Sequence, residues 1–227
     1  MKRISTPEIL DTDDCPAHEV GLSLRDMARI NRWFGGVSTS VELIRKVARS
    51  MKKTRFSLLE VAAGLGELPE IAANKLAGDG INVTITLLDR AATHLPQNRR
   101  SVAADALAMP FADSTFDLVA CNLFAHHLEP EQLVLFVKEA LRVSRCAVLI
   151  NDLVRHPMHL ACVYAGFPLM RSHVSRVDGL ASVRRAYMPD EIKQMMNAGF
   201  AKGSIPKIEI LRRPLFRMGI IVWKAGR

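Results

Sequence analysis

The segment Leu58-Leu59-Glu60-Val61-Ala62-Ala63-Gly64-Leu65-Gly66-Glu67-Leu68 decides the fold. The nearly unbroken apolar run from Phe56 to Ala63 is what a parallel strand buried on both faces requires. Gly64 and Gly66 then let the backbone turn sharply and approach a ligand where a side chain would collide. From Glu67 to about Ala77 the pattern continues as a helix, whose first N–H groups lack internal partners and point into the turn. Strand, glycine turn and helix in that order predict a nucleotide-type ligand at the edge of a doubly wound sheet.

Two residues narrow the ligand. Pro69 stands where a dinucleotide fold has its third glycine, which works against an NAD-dependent oxidoreductase. Glu60 lies inside the strand, four residues before Gly64, and a carboxylate there suits a cationic amine better than a pyrophosphate. The pattern Glu60-x-x-x-Gly64-x-Gly66 resembles the glycine motif of class I S-adenosylmethionine methyltransferases.

The following segments agree. Asn82 to Asp89 reads as a second strand rich in β-branched and aliphatic residues. An acid at its carboxyl end can hold a ribose diol by accepting two hydroxyl hydrogen bonds. The resemblance implies that Asp105 and Ala106 read the adenine amino edge. The run Met109-Pro110-Phe111-Ala112-Asp113-Ser114-Thr115-Phe116-Asp117-Leu118-Val119 is similar to the segment entering the fourth strand of small-molecule methyltransferases of the ubiquinone/menaquinone-biosynthesis type. The resemblance covers roughly residues 56 to 153. It implies an α/β fold, Rossmann-like and doubly wound, with a seven-stranded, mostly parallel sheet whose last strand is antiparallel. It also implies S-adenosyl-L-methionine as cofactor, with Glu60, Gly64, Gly66, Asp89, Arg90, Asp105, Ala106 and Asn122 as the residues that hold it.

Composition sets the outer limits. A chain of 227 residues, 49% hydrophobic and 24% charged, is one domain of ordinary globular make-up. No run of 18 apolar residues exists to span a membrane, and the Met-Lys-Arg start is not followed by the apolar core of a signal peptide. Cys15, Cys121, Cys146 and Cys162 have no paired spacing, so reduced thiols, a cytoplasmic location and no metal site are expected. The net charge is +8, and residues 151–227 carry 13 basic against 5 acidic side chains, an excess equal to that of the whole chain. Such a basic third leaves an RNA methyltransferase or RNA-binding module as an alternative. The interleaved aromatics of a single-strand platform are missing, because Tyr164, Phe167, Tyr187 and Phe200 are scattered.

The flanks divide around that core of 53–153. Residues 1–52 are read as a loose polar arm, with Pro7, Asp11, Asp13, Asp14 and Pro16, followed by two cover helices. The second of these, Val41 to Met51, turns Val41, Leu43, Ile44, Val47 and Ala48 inward and takes Thr39 or Ser40 as its cap. Only about ten residues separate Asp89 from the third strand, too few for a full helix. Residues 154–188 exceed the minimal fold and are read as a helical lid over the substrate, since ligands bind at the carboxyl ends of parallel strands. Residues 189–227 supply a helix and a closing antiparallel hairpin. Trp33, Tyr164 and Tyr187 are the candidate substrate contacts, for an acceptor expected to be hydrophobic or aromatic.

Methyl transfer from a sulfonium is an in-line displacement in which the protein chiefly holds the nucleophile near the methyl carbon. An acceptor that is a hydroxyl or an acidic carbon also needs a base. His126 and His127, after the fourth strand, are the candidate catalytic residues. A helix N-terminus beneath them is expected to keep an imidazole neutral, and consecutive helical residues point about 100° apart, so one at most reaches the substrate.

Overall fold

The computed structural model describes residues 1–11 and 15–224; Asp13, Asp14 and the last three residues lie outside the described residues. The apolar runs form a sheet of β1 (Arg55–Val61), β2 (Asn82–Asp89), β3 (Ser101–Ala103), β4 (Phe116–Asn122), β5 (Ser144–Leu153), β6 (Ile208–Arg213) and β7 (Arg217–Trp223). Their order is β3-β2-β1-β4-β5-β7-β6, and β7 runs antiparallel to both of its neighbours. From β1 the chain moves outward through β2 to β3 and then returns to β4 on the other side of β1. That reversal opens a crevice beyond the carboxyl ends of β1 and β4, where doubly wound sheets bind ligands.

Strand alternation assigns each face its helices. Leu59, Val61, Val119, Cys121, Val148 and Ile150 pack toward α4 (Pro130–Val143) and α7 (Pro189–Gly199), meeting Leu133, Phe136, Ile192 and Met196. Phe56, Leu58, Leu118 and Leu149 pack toward α2 (Gly36–Met51) and α3 (Glu67–Ala77). The expected inward set of α2, Val41, Leu43, Ile44, Val47 and Ala48, is buried. Between β2 and β3 there is one 3-10 turn, Ala92–His94, as the short spacing requires. No disulfide joins the four cysteines, of which Cys121 and Cys146 are buried, and no described helix is long and apolar enough to cross a membrane.

Two local expectations are corrected by tertiary contacts. The cap of α2 is Gly35, at φ 83, and not Thr39 or Ser40, which lie inside the helix. Buried Arg217 draws the preceding turn in, donating to Phe34 O at 2.8 Å and Asn31 Oδ1 at 2.6 Å. This starts α2 several residues early and frees Ser40 for another role. The N-terminal residues are also not a loose arm. Arg3 donates to Arg185 O and Leu128 O, Ile4 N–H donates to Arg184 O, and Glu8 is 3% exposed.

Above the carboxyl end of the sheet, α1 (Ala17–Trp33) meets the insertion formed by α5 (Pro157–Ala165) and α6 (His173–Arg185). The N–H groups of Arg171 and Ser172 donate to Asp26 Oδ2 at 2.7 and 2.9 Å, so the carboxylate caps the approach to α6. The insertion therefore docks on α1, with His159 of α5 also stacked on Phe216 between β6 and β7 at 5.2 Å.

Candidate active site

The turn after β1 begins at Ala62, whose φ of 54 is left-handed. That region costs an ordinary L-residue about 1–2 kcal/mol, against about 0.5–1 kcal/mol of extra chain entropy lost by a glycine. Ala62→Gly is therefore expected to stabilise the fold by up to about 1 kcal/mol, or about 2–4 °C in Tm for a chain of this size. A calorimetric Tm equal to or below that of the parent would refute the strain. Gly64 and Gly66 follow with φ 51 and 68. A Cβ on Gly66 would stand 2.5 Å from Leu87 Cδ1, whereas one on Gly64 meets only Leu24 Cδ2 of α1 at 3.7 Å. Gly66 thus lets α3 close on β2, and Gly64 faces the open crevice beneath α1. Leu24 brings α1 over this turn.

Two carboxylates bracket the turn. Asp89 accepts from Gly64 N–H at 2.9 Å and from Ala91 N–H at 3.0 Å. Burial disfavours its charge, but His94 and these two N–H groups outweigh that and hold the carboxyl below its usual value. Each oxygen keeps a lone pair for a further donor. Glu60 is 2% exposed on the α2/α3 side, at a narrow cavity lined by Ser40, Ile44, Pro69, Asn122 and Asn151. Asn122 Nδ2 donates to Glu60 Oε1, while Asn122 Oδ1 accepts from Ser40 Oγ at 2.7 Å and Asn151 Nδ2 at 2.6 Å. Burial pushes the Glu60 carboxyl up to about 7, which the Asn122 bond only partly offsets. Among the described residues no lysine, arginine or histidine lies in ion-pair range of Glu60. A buried acid lacking a cation, beside a glycine cradle at a helix N-terminus, fits a cofactor that brings its own cationic amine.

The other sequence candidates are distributed around this core. Arg90 and Asp105 are exposed, Asp105 Oδ1 accepting from Leu107 N–H at 2.8 Å, and Ala106 is buried. Trp33, 59% exposed, lies on a cleft with Arg25, Arg29, Arg32, Glu67 and Arg171. Tyr164 is exposed on α5 against Phe167, with ring centroids 5.3 Å apart. Tyr187 departs from its expected role: it is 3% exposed in the core and donates its hydroxyl to Leu128 O at 2.7 Å, so no acceptor can reach its ring.

The histidine pair also departs from expectation. It sits on a single 3-10 turn, Ala125–His127, too short for a helix dipole to govern the rings. The side chains converge, with ring centroids 4.4 Å apart. Burial opposes charge on His126, but the carboxylates of Asp152 and Glu8 overcome it and push the imidazole up to about 10. His126 is therefore not the neutral base expected from its position. Its partner Glu8 lies in the segment read as a loose arm, and no pattern around Glu8 in the sequence signals the contact.

Three arginines of the basic C-terminal third are withdrawn from the surface. Arg155, Arg185 and Arg217 are each at most 5% exposed. Arg155 pairs with Glu191, and Arg185 with Asp11 at 2.8 Å.

Comparison with known proteins agrees with this geometry. Residues 59–146 match the family model described as a methyltransferase domain. The plantazolicin methyltransferase BpumL in complex with SAH superposes with a TM-score of 0.69 at 13% identity, over 93% of this chain and 91% of that one. A SAM-dependent methyltransferase from Aquifex aeolicus gives 0.57 at 11% identity, over 91% and 98% of the two chains. The methyltransferase domain of the citrinin polyketide synthase gives 0.51 at 12% identity, over 76% of this chain and 47% of that one. No curated protein sequence matches significantly. The strand order, the glycine turn with its flanking acids, and the methyltransferase-domain match over residues 59–146 give this chain the fold of the class I S-adenosylmethionine-dependent methyltransferases.

Proposed function

We propose that the chain methylates a small-molecule acceptor, an aromatic or polyketide-like hydroxyl or ring carbon, from S-adenosylmethionine held at the β1–α3 turn. The observation that carries the reading is the buried, cation-free carboxylate of Glu60 beside that turn. In this assignment Glu60 receives the amine, oriented by Asn122. Gly64, Gly66 and the first N–H groups of α3 line the turn. Asp89 takes the ribose diol, with Arg90, Asp105 and Ala106 toward the base. When bound, the cofactor supplies a sulfonium methyl already activated for displacement. The protein's contribution is then to exclude water under α1 and the insertion and to align the acceptor. Support for the acceptor class comes from two neighbours, a plantazolicin methyltransferase in complex with a desmethylPZN analogue and a domain of the citrinin polyketide synthase. The insertion also exposes Met158, Tyr164 and Leu169, apolar surface suited to such a compound.

Asp89→Ala tests the assignment. Removing hydrogen bonds to a charged group is expected to weaken S-adenosylhomocysteine binding by about 1.5–3 kcal/mol, roughly 10- to 150-fold. Titration calorimetry showing parent-like affinity would remove Asp89 from the site. Transfer of a labelled methyl group to members of an aromatic and polyketide library, against none to RNA, checks the acceptor class.

A further inference from the structure

Three side chains without a part in methyl-donor binding meet at one point. Glu8 places Oε1 3.4 Å from His126 Nε2 and Oε2 3.6 Å from His127 Nε2. The ligating atoms of the three residues all lie within 4.8 Å of one another. Both imidazoles are held from behind by carboxylates: His126 Nδ1 is 2.6 Å from Asp152 Oδ1, and His127 Nδ1 is 2.8 Å from Asp11 Oδ1. Asp152 also accepts from the N–H of His126 at 3.0 Å, which fixes the start of the turn. His126 is 2% exposed, yet its Nε2 is buried without a hydrogen-bond partner, because the approach to Glu8 is not aligned as one.

We propose that Glu8, His126 and His127 bind a divalent transition-metal ion of the zinc class, with Asp152 and Asp11 orienting the two imidazoles. The separations fit. Bonds of about 2.0–2.1 Å in tetrahedral geometry put neighbouring ligand atoms roughly 3.3 Å apart, close to the 3.4 and 3.6 Å between Glu8 and the two rings. The donor set of two imidazole nitrogens and one carboxylate, with no thiolate, suits borderline first-row ions. A carboxylate behind each ligating histidine is the usual device for fixing which nitrogen faces the metal. Arg185 Nη1, 2.8 Å from Asp11 Oδ2, answers that carboxylate, and a divalent ion would take the place of the proton on His126 Nε2 between Glu8 and Asp152. The ion would clasp the N-terminal segment onto the ends of β4 and β5.

The site is independent of the methyl-donor reading and is tested without turnover. The full chain is stripped with chelator and titrated with Co²⁺ and then Zn²⁺, followed by visible absorption and calorimetry. The expected result is one ion per chain, with the d–d bands of a nitrogen- and oxygen-ligated Co²⁺ that Zn²⁺ bleaches. Glu8→Gln and His127→Ala are expected to lose these bands while still binding S-adenosylhomocysteine, which shows that they are folded. Asp152→Asn is expected to weaken the ion by about 10- to 100-fold. His127 is partly exposed, so its variant keeps the test open if Glu8→Gln fails to fold. Absence of Co²⁺ bands in the parent protein, or parent-like bands and affinity in the folded variants, would overturn the proposal.

Discussion

Glu60→Gln is expected to make the cofactor-free protein more stable above about pH 7 while sharply weakening its hold on the methyl donor. The sign follows from the direction of the shift. The folded-state carboxyl is raised from 4.5 to about 7 by burial, so the folded state keeps a proton that the unfolded state releases. The wild-type protein has the full benefit of the neutral acid below about pH 4.5. It loses stability as the pH rises toward 7, by an amount on the order of 3 kcal/mol, and little further change comes from this group above that. Glutamine keeps the shape and can still accept from Asn122, so the variant should lack this slope. The same substitution removes the partner of a cationic amine. S-adenosylhomocysteine affinity of the wild type should therefore strengthen as the pH rises through 7 and the carboxylate becomes available, and the variant should bind weakly at every pH. Denaturation and calorimetry across that range read both effects. Parallel stability curves for the two proteins would show that Glu60 is ionised already in the free molecule, and equal affinities would take it out of the cofactor site.

Gly64→Val and Gly66→Val are expected to fail in different ways. The valine at 64 would point into open crevice under Leu24, so the fold should survive with the strain of a left-handed residue, about 1–2 kcal/mol, and cofactor binding should vanish. The valine at 66 would drive into Leu87, which is 1% exposed. Overpacking of about 1–3 kcal/mol adds there to the same backbone strain, for a total of about 2–5 kcal/mol. Melting curves with and without S-adenosylhomocysteine separate the two. The idea fails if the 64 variant still shows a ligand-induced rise in Tm, or if the 66 variant melts no lower than the 64 variant.

Much of this protein was legible in residue order because the information is local. An apolar run, two glycines and a helix within a dozen residues are enough to place the β1–α3 turn, since parallel strands buried on both faces have few other ways to read. The acids at Glu60 and Asp89 were legible for the same reason: each ends or nearly ends a strand, and strand ends in this topology share one edge. The short β2–β3 connection followed from spacing and the closing hairpin from two apolar runs around a turn, whereas the antiparallel last strand was what the family resemblance implied.

What only the tertiary structure decided depends on contacts between residues far apart in the chain. The start of α2 at Gly36 reflects Arg217 reaching across from β7 to Asn31 and Phe34, a pull that capping preferences around Thr39 and Ser40 do not register. Tyr187 looked available beside a basic segment, but the fold turns its ring into the core. The histidines show the limit most clearly. Two adjacent residues on a regular helix diverge, and near a helix N-terminus an imidazole stays neutral; a single 3-10 turn removes both premises. The rings instead converge on Glu8, and the charge on His126 is set by Glu8 and Asp152. A polar, proline-containing N-terminus reads as loose because nothing local orders it. Here its order comes from carboxylates and Arg3 meeting partners on the β4 turn and α6, and Coulomb and hydrogen-bond energies depend on distance in space, not on separation along the chain.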